Sequence, residues 1–294
     1  MDNQEYYYLG FLANVDSSIL SVKLDHDFIM ESMSVDQYVD FISDIKKDDL
    51  HYGIAREVLS HEYPIINFDE KKIYFIKNTA EKYRQKSDYL PKILTLLRLF
   101  AEGNIQIPVQ FQTAPIKENK LISVFSAQYG PKSIKPAPKY TLKDQDVKIL
   151  NAFIKTVKIP FEKSYLQLAL DNLERSYEMS YGPHHDNLSF LTLMIGFEAI
   201  FNLGNAGITQ TISRHTAVLI SKNKTECKTI YSDMKNFYKQ RSFIVHAAKT
   251  EKFKNTDQKD ISKLRNYLRE CIKKAFELNY DKDELFEYLN LKGF

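Results

Sequence analysis

The chain has little cysteine, little glycine and no long apolar run, and each shortage removes a class of protein. Cys227 and Cys271 are its two cysteines in 294 residues. Two thiols in separate helical stretches are too few for a disulfide framework and lack the clustered spacing of a zinc site. They read as small buried apolar residues of a protein kept in a reducing cytoplasm. Nine glycines leave little room for a phosphate cradle, and no Walker-type loop, G-x-S-x-G or H-E-x-x-H occurs. Nothing here calls for a metal or another cofactor. The longest mostly apolar stretch, Leu188 to Phe201, is too short for a bilayer and contains Glu198. Met1-Asp2-Asn3-Gln4-Glu5 lacks the basic and then apolar layout of a secretory signal. The expectation is a cytoplasmic protein without membrane contact.

The remaining composition, 44% hydrophobic and 27% charged, is that of a globular chain long enough for two cored domains. The net charge of +3 is unevenly spread. Residues 1–140 carry 17 Lys and Arg against 19 Asp and Glu, whereas residues 141–294 carry 24 against 19. Within 222–254 the balance is 9 basic to 3 acidic. Such a field attracts a polyanion, although a lysine-rich solvated face gives the same count.

Three of the nine prolines fall in Gly130 to Lys139, a stretch without periodicity. Proline blocks both helix and central strand, so 131–140 reads as a linker between a domain over 1–130 and another over 141–294. The first half mixes elements. Strands are expected at Tyr6 to Ala13, Ile19 to Asp25, Ile105 to Gln112 and Leu121 to Ala127, with a hairpin from Tyr63 to Lys77. Ser34-Val35-Asp36-Gln37 has the form of a capping box ahead of a helix carrying Tyr38, Phe41 and Ile42. A further helix from about 87 to 102 ends at Gly103, suited to a left-handed cap. After the linker the period is helical, with helices near 144–158, 165–180, 186–203, 209–221, 224–247, 257–278 and 283–289. The fold class is α+β: a mixed α+β domain, then an all-α bundle.

The chemistry concentrates in Tyr238-Lys239-Gln240-Arg241-Ser242-Phe243-Ile244-Val245-His246. Arginine offers a phosphate a planar fork, and histidine moves protons near neutral pH. On a helical wheel Ile230, Met234, Phe237, Arg241 and Ile244 share one stripe, so Arg241 interrupts an apolar face. Glu198 does the same among Leu191, Met194 and Ile195. An ion pair between the two is one structural reading, and it is compatible with catalysis. His246 stands about 140° round from Arg241 and about 7.5 Å along the axis. The two groups can meet through the length of the arginine, through distortion at the helix end, or through a second chain. His184-His185-Asp186 follows Gly182-Pro183 and reads as a loop with Asp186 as N-cap rather than a metal site. His215, beside Arg214, suits surface or packing.

Four blocks in this order resemble the HEPN domain, in particular its ApeA-like branch of prokaryotic defence proteins. They are Phe190 to Phe201, with a glutamate in an apolar helix; Ile212-Ser213-Arg214-His215-Thr216-Ala217-Val218-Leu219-Ile220; Phe237 to Ala247, similar to the signature L-Y-x-x-R-S-x-I-V-H-G; and Ile261 to Leu278. The resemblance spans residues from about 165 to 280, about two fifths of the chain, and its third block is the specific one. Ser242 stands where the wider family often has asparagine, and Ala247 where it has glycine.

The resemblance implies a helical bundle and a metal-independent endoribonuclease acting in anti-phage defence. It also implies a homodimer that brings two R-x4-H segments together. His246 would be general base or acid, Arg241 would stabilise the phosphoryl charge, and Ser242 would orient either or bind phosphate. Glu198, Arg214, Tyr238 and Lys239 are candidates to orient these groups or bind RNA; core packing also suits Tyr238, and simple solvation suits Lys239. The N-terminal domain would be a sensor, with a regulatory or phage-derived partner. Two alternatives stay open: a non-catalytic module that binds RNA or a partner, and the toxin of a toxin–antitoxin pair.

Overall fold

The computed structural model describes residues 7–24, 28–45, 50–60, 64–78, 89–114, 116, 118–129, 138–179, 186–204, 207–246 and 256–292. The chain divides into two compact units, Met1–Val157 and Lys158–Phe294.

The first unit is built on β1 (Tyr7–Ala13), which is buried along nearly its whole length because it lies inside the sheet and is covered on both faces. It pairs antiparallel with β4 (Lys72–Asn78) on one side and β5 (Gln106–Thr113) on the other. β2 (Phe28–Ser34) extends the sheet beyond β4, and β6 (Val124–Tyr129) extends it beyond β5. The two-residue β3 (Ile66–Asn67) forms the expected hairpin with β4. On one face Phe11 meets Phe111 with ring centroids 5.1 Å apart and Tyr38 at 5.6 Å. Tyr38 comes from α1 (Val35–Phe41), whose start is the expected capping box of Ser34 and Gln37. A second short helix, α2 (Leu50–Arg56), was not legible in the sequence. The opposite face of β1 at Gly10 approaches Leu90 of α3 (Tyr89–Phe100).

Ile19 to Leu24, the described part of the expected strand, is not a strand. Ser17–Ser21 winds into a 3-10 turn because the Asp16 side chain accepts the Ser18 N–H, and an N-cap of this kind outcompetes the β propensity of Ile19. Gly103 also departs from expectation. Its φ is +139°, outside the left-handed helical well, and a Cβ there would sit 2.5 Å from the Tyr140 Cα. Close chain approach, more than helix capping, requires glycine at this position.

The domain boundary falls later than the proline-rich stretch, of which 130–137 lie outside the described residues. Tyr140 belongs to the first unit: its N–H donates to the Asn14 carbonyl and its hydroxyl to the Leu97 carbonyl, each at 2.7 Å. So does α4 (Asp144–Thr156), with Asn151 Nδ2 donating to the Ser21 carbonyl at 3.1 Å and Phe153 meeting Phe100 at 5.1 Å. Helical periodicity marked this helix without showing which core would bury it.

The described part of the second unit is helical: α5 (Ser164–Met179), α6 (Asp186–Phe201), α7 (Ile208–Ile220), α8 (Lys224–Val245), α9 (Gln258–Leu278) and α10 (Lys282–Leu291). Both cysteines are buried here. α9 carries two arginines into the core. Arg265 donates to the Ser176 carbonyl at 2.6 Å and the Ser189 hydroxyl at 3.1 Å, and its guanidinium lies 4.4 Å from the Tyr177 ring centre. Arg269 donates to the Tyr177 hydroxyl at 3.1 Å. Among the described residues no helix is long and apolar enough to cross a membrane.

Candidate functional site

α8 organises the site. Asn223 caps it, its side chain accepting the Glu226 N–H at 2.9 Å. Cys227, Ile230, Met234 and Phe237 follow at helical spacing and are buried. This is the predicted core stripe, and it anchors the helix to α6 through Phe190, whose ring lies 6.0 Å from that of Phe237. One turn later the same stripe delivers Arg241, where the interior gives way to surface.

Arg241 meets Glu198 of α6 there, with Nη2 and Oε1 3.5 Å apart and the side chains 30% and 20% exposed. That distance is an ion pair without a tight hydrogen bond, so the guanidinium retains donors for a ligand. Tyr238 closes the group. Its hydroxyl lies 3.5 Å from the same Glu198 oxygen, and its ring centre is 5.8 Å from the Arg241 guanidinium carbon. Burial, with the Glu198 charge second, raises the Tyr238 pKa and keeps the phenol protonated. The ion pair offered by the sequence reading is therefore present, with a tyrosine added.

α8 remains helical to Val245, and His246 is its C-cap, its N–H donating to the Ser242 carbonyl at 3.1 Å. With α8 helical through Val245, ideal helix geometry sets Arg241 and His246 about 140° apart round the axis, while His246 itself leaves helical geometry at φ −103° and ψ 13°. Ser242 and His246 are exposed, and among the described residues the His246 imidazole has no hydrogen-bond or ion-pair partner. Lys239 is exposed too, its ammonium 5.9 Å from the Phe243 ring centre. Ala247, the last residue of the motif, lies outside the described residues.

Arg214 is engaged elsewhere. Its guanidinium donates to the carbonyls of Leu289 at 2.6 Å, Asn290 at 3.2 Å and Lys292 at 3.0 Å, which tie off the end of α10. His215 is packing, not surface. It is 1% exposed, its Nε2 pairs with Asn290 Oδ1 at 3.0 Å, and it stands edge-on to Phe286 at 4.8 Å. His184 and His185 lie outside the described residues, and Asp186 opens α6 while its side chain accepts from Gln258. Among the described residues no three His, Cys, Asp or Glu side chains are grouped as a metal ion would need.

Two supports escaped sequence reasoning. Thr256 donates to Asn187 Oδ1 from its hydroxyl at 2.6 Å and from its N–H at 3.1 Å, while Gln240 reaches the Thr256 hydroxyl at 3.3 Å. This bridge joins the starts of α6 and α9 to the last turns of α8. Isolated polar residues give no periodic signal, so nothing in the sequence marked it. The outer face of α6 was legible as an apolar run but not as surface: Leu188 is 47% exposed and Ile195 46%.

Compared with protein-family models, curated proteins and solved structures, the chain matches none.

Proposed function

We propose that this protein is a metal-independent endoribonuclease of a prokaryotic defence system, acting through Arg241 and His246 on a HEPN-like bundle. One observation carries the reading. A guanidinium steadied by Glu198 and an exposed histidine occupy the same helix end, with Ser242 between them.

The chemistry is transesterification within RNA. A histidine removes the proton of a ribose 2′-hydroxyl, the 2′-oxygen bonds to phosphorus, and the bond from phosphorus to the 5′-oxygen breaks. A second histidine protonates that leaving oxygen. Arg241 neutralises the charge that gathers on the phosphoryl oxygens. The products are a 2′,3′-cyclic phosphate and a 5′-hydroxyl, and DNA is spared because it lacks the nucleophile.

Helical spacing sets Arg241 and His246 about 140° apart within one chain, so the reading takes a second copy to complete the site. The outer face of α6 supplies a surface for it. Leu188 and Ile195 expose apolar side chains beside Glu198, on a helix apolar nearly all round. Partner histidines brought together across this face would serve as base and acid.

RNA cleavage in EDTA tests the proposal, with His246→Ala and Arg241→Ala alongside and end-group analysis of the fragments. Cleavage that survives chelation, leaves cyclic phosphate and falls at least a hundredfold in both variants supports it. Equal cleavage by all three proteins overturns it.

A further inference from the structure

The charges of α8 are sorted by face. At about 100° per residue, Lys224, Lys228, Lys235 and Lys239 fall within about 60° of one another, and all four are exposed. Tyr231 borders this stripe, about 20° beyond Lys224, half-buried, with the Lys235 ammonium 5.6 Å from its ring centre. Ser242 and His246 continue the line. The helix's two acidic residues, Glu226 and Asp233, point roughly the opposite way. Asp233 is taken up by α9, accepting from the Tyr267 hydroxyl at 2.7 Å and from Lys263 at 3.0 Å. Glu226 accepts the Lys222 N–H at 2.7 Å. No carboxylate of α8 therefore interrupts the basic line.

The stripe begins at a cavity of about 440 Å³ between α7 and the first turns of α8, lined by Gln210, Arg214, Lys224, Lys228 and Tyr231. Its size suits a small ligand. An aromatic ring offers a base a stacking surface, and the lysines offer its phosphate a counter-charge. From Lys224 to His246 the line runs about 33 Å at 1.5 Å per residue.

We infer that this stripe is a docking track for single-stranded RNA, with the cavity holding a nucleotide remote from the cleaved bond and the lysines leading the backbone to His246. The inference rests on the nuclease reading for its RNA and goes beyond it in naming where the strand lies. Aromatic stacking needs bases free of a duplex, so the track selects single strands.

The test is binding of a fluorescein-labelled 2′-O-methyl oligouridylate, long enough to span the stripe, by the full chain. This probe keeps phosphates and bases and has no nucleophile, so binding is read apart from cleavage. Lys228→Glu/Lys235→Glu is expected to weaken binding at least tenfold and to lower the slope of log affinity against log salt by about 0.7 per lost contact. Lys274→Glu, on the exposed part of α9, should bind as wild type does. Tyr231→Ala should lose at least fivefold, and Tyr231→Phe should retain affinity.

Unchanged binding in the double variant overturns the track while leaving the nuclease reading intact if RNA is still cut. Stripe-dependent binding without cleavage of ordinary RNA upholds the track and removes the nuclease reading. A duplex that binds as tightly as the single strand, or a probe that does not bind at all, overturns the track.

Discussion

Glu198 and Arg241 face each other at 3.5 Å across α6 and α8, at the point where the core stripe of α8 reaches the surface. Both groups are partly solvated, so the pair contributes little to stability, below about 1 kcal/mol. Its consequence is positional: the carboxylate limits where the guanidinium can point. Glu198→Gln should shift the unfolding midpoint only slightly while lowering kcat for RNA cleavage about 10-fold to 100-fold, the range expected when a catalytic group loses alignment. KM should change less. Single-turnover kinetics beside urea unfolding would separate the two effects. A large loss of stability with full activity would make Glu198 a structural partner alone.

The outer face of α6 yields a second prediction. Ile195 is 46% exposed on the outer face of α6. Ile195→Asp places a charge where the proposed partner copy would bury it, and a buried unpaired charge is strongly unfavourable. The wild-type chain should sediment as a dimer and Ile195→Asp as a monomer. RNA cleavage should fall with dimer content although Arg241 and His246 are untouched. A wild-type monomer that cleaves RNA at full rate would remove the two-chain site.

The helices of the second unit were legible because their apolar residues recur at helical spacing over ten or more positions. Cys227, Ile230, Met234 and Phe237 show this directly: each is buried. The arginine and glutamate that break such stripes were legible for the same reason, as exceptions to a strong pattern. Local capping chemistry was less readable. Ile19 looked like a strand residue, yet Asp16 two residues before Ser18 turned that segment into a 3-10 turn. Long-range pairing was not readable at all. Nothing in the order of residues told that Tyr140 would run beside Asn14, or that Arg214 would close α10. Such contacts depend on which surfaces meet, and that is settled by the whole core.

His215 gives a pH-dependent prediction. Burial lowers its pKa from the ordinary value of 6.5, the Asn290 contact opposes that shift, and the Arg214 charge adds to it. The folded state thus holds the ring neutral while the unfolded chain takes up a proton below 6.5. Unfolded chains then bind more protons, so stability from this group is complete above that value and declines as pH falls through it. The decline is at most about 1.4 kcal/mol for each pH unit separating the two values. Urea unfolding across mildly acidic pH should show this slope in wild type and lose its His215 part in His215→Gln, even if that variant is less stable throughout. Parallel pH profiles for the two proteins would remove the assignment.

Gly103 fixes how closely the Tyr140 segment packs against the turn that follows α3. Its φ of +139° is a conformation that residues with a Cβ rarely adopt, and an added Cβ would lie 2.5 Å from the Tyr140 Cα and 2.8 Å from its nitrogen. Neither obstacle is a flexible side chain. Tyr140 is itself held, its backbone N–H on the Asn14 carbonyl and its side-chain hydroxyl on the Leu97 carbonyl. Gly103→Ala therefore has no cheap relaxation. The conformational strain alone is about 1–3 kcal/mol, before the clash is counted. The variant should lose at least that much in chemical unfolding, whereas Tyr140→Phe, which removes one buried hydrogen bond, should lose about 1 kcal/mol. If Gly103→Ala unfolds at the wild-type midpoint, the segment around Tyr140 does not pack against Gly103 as described.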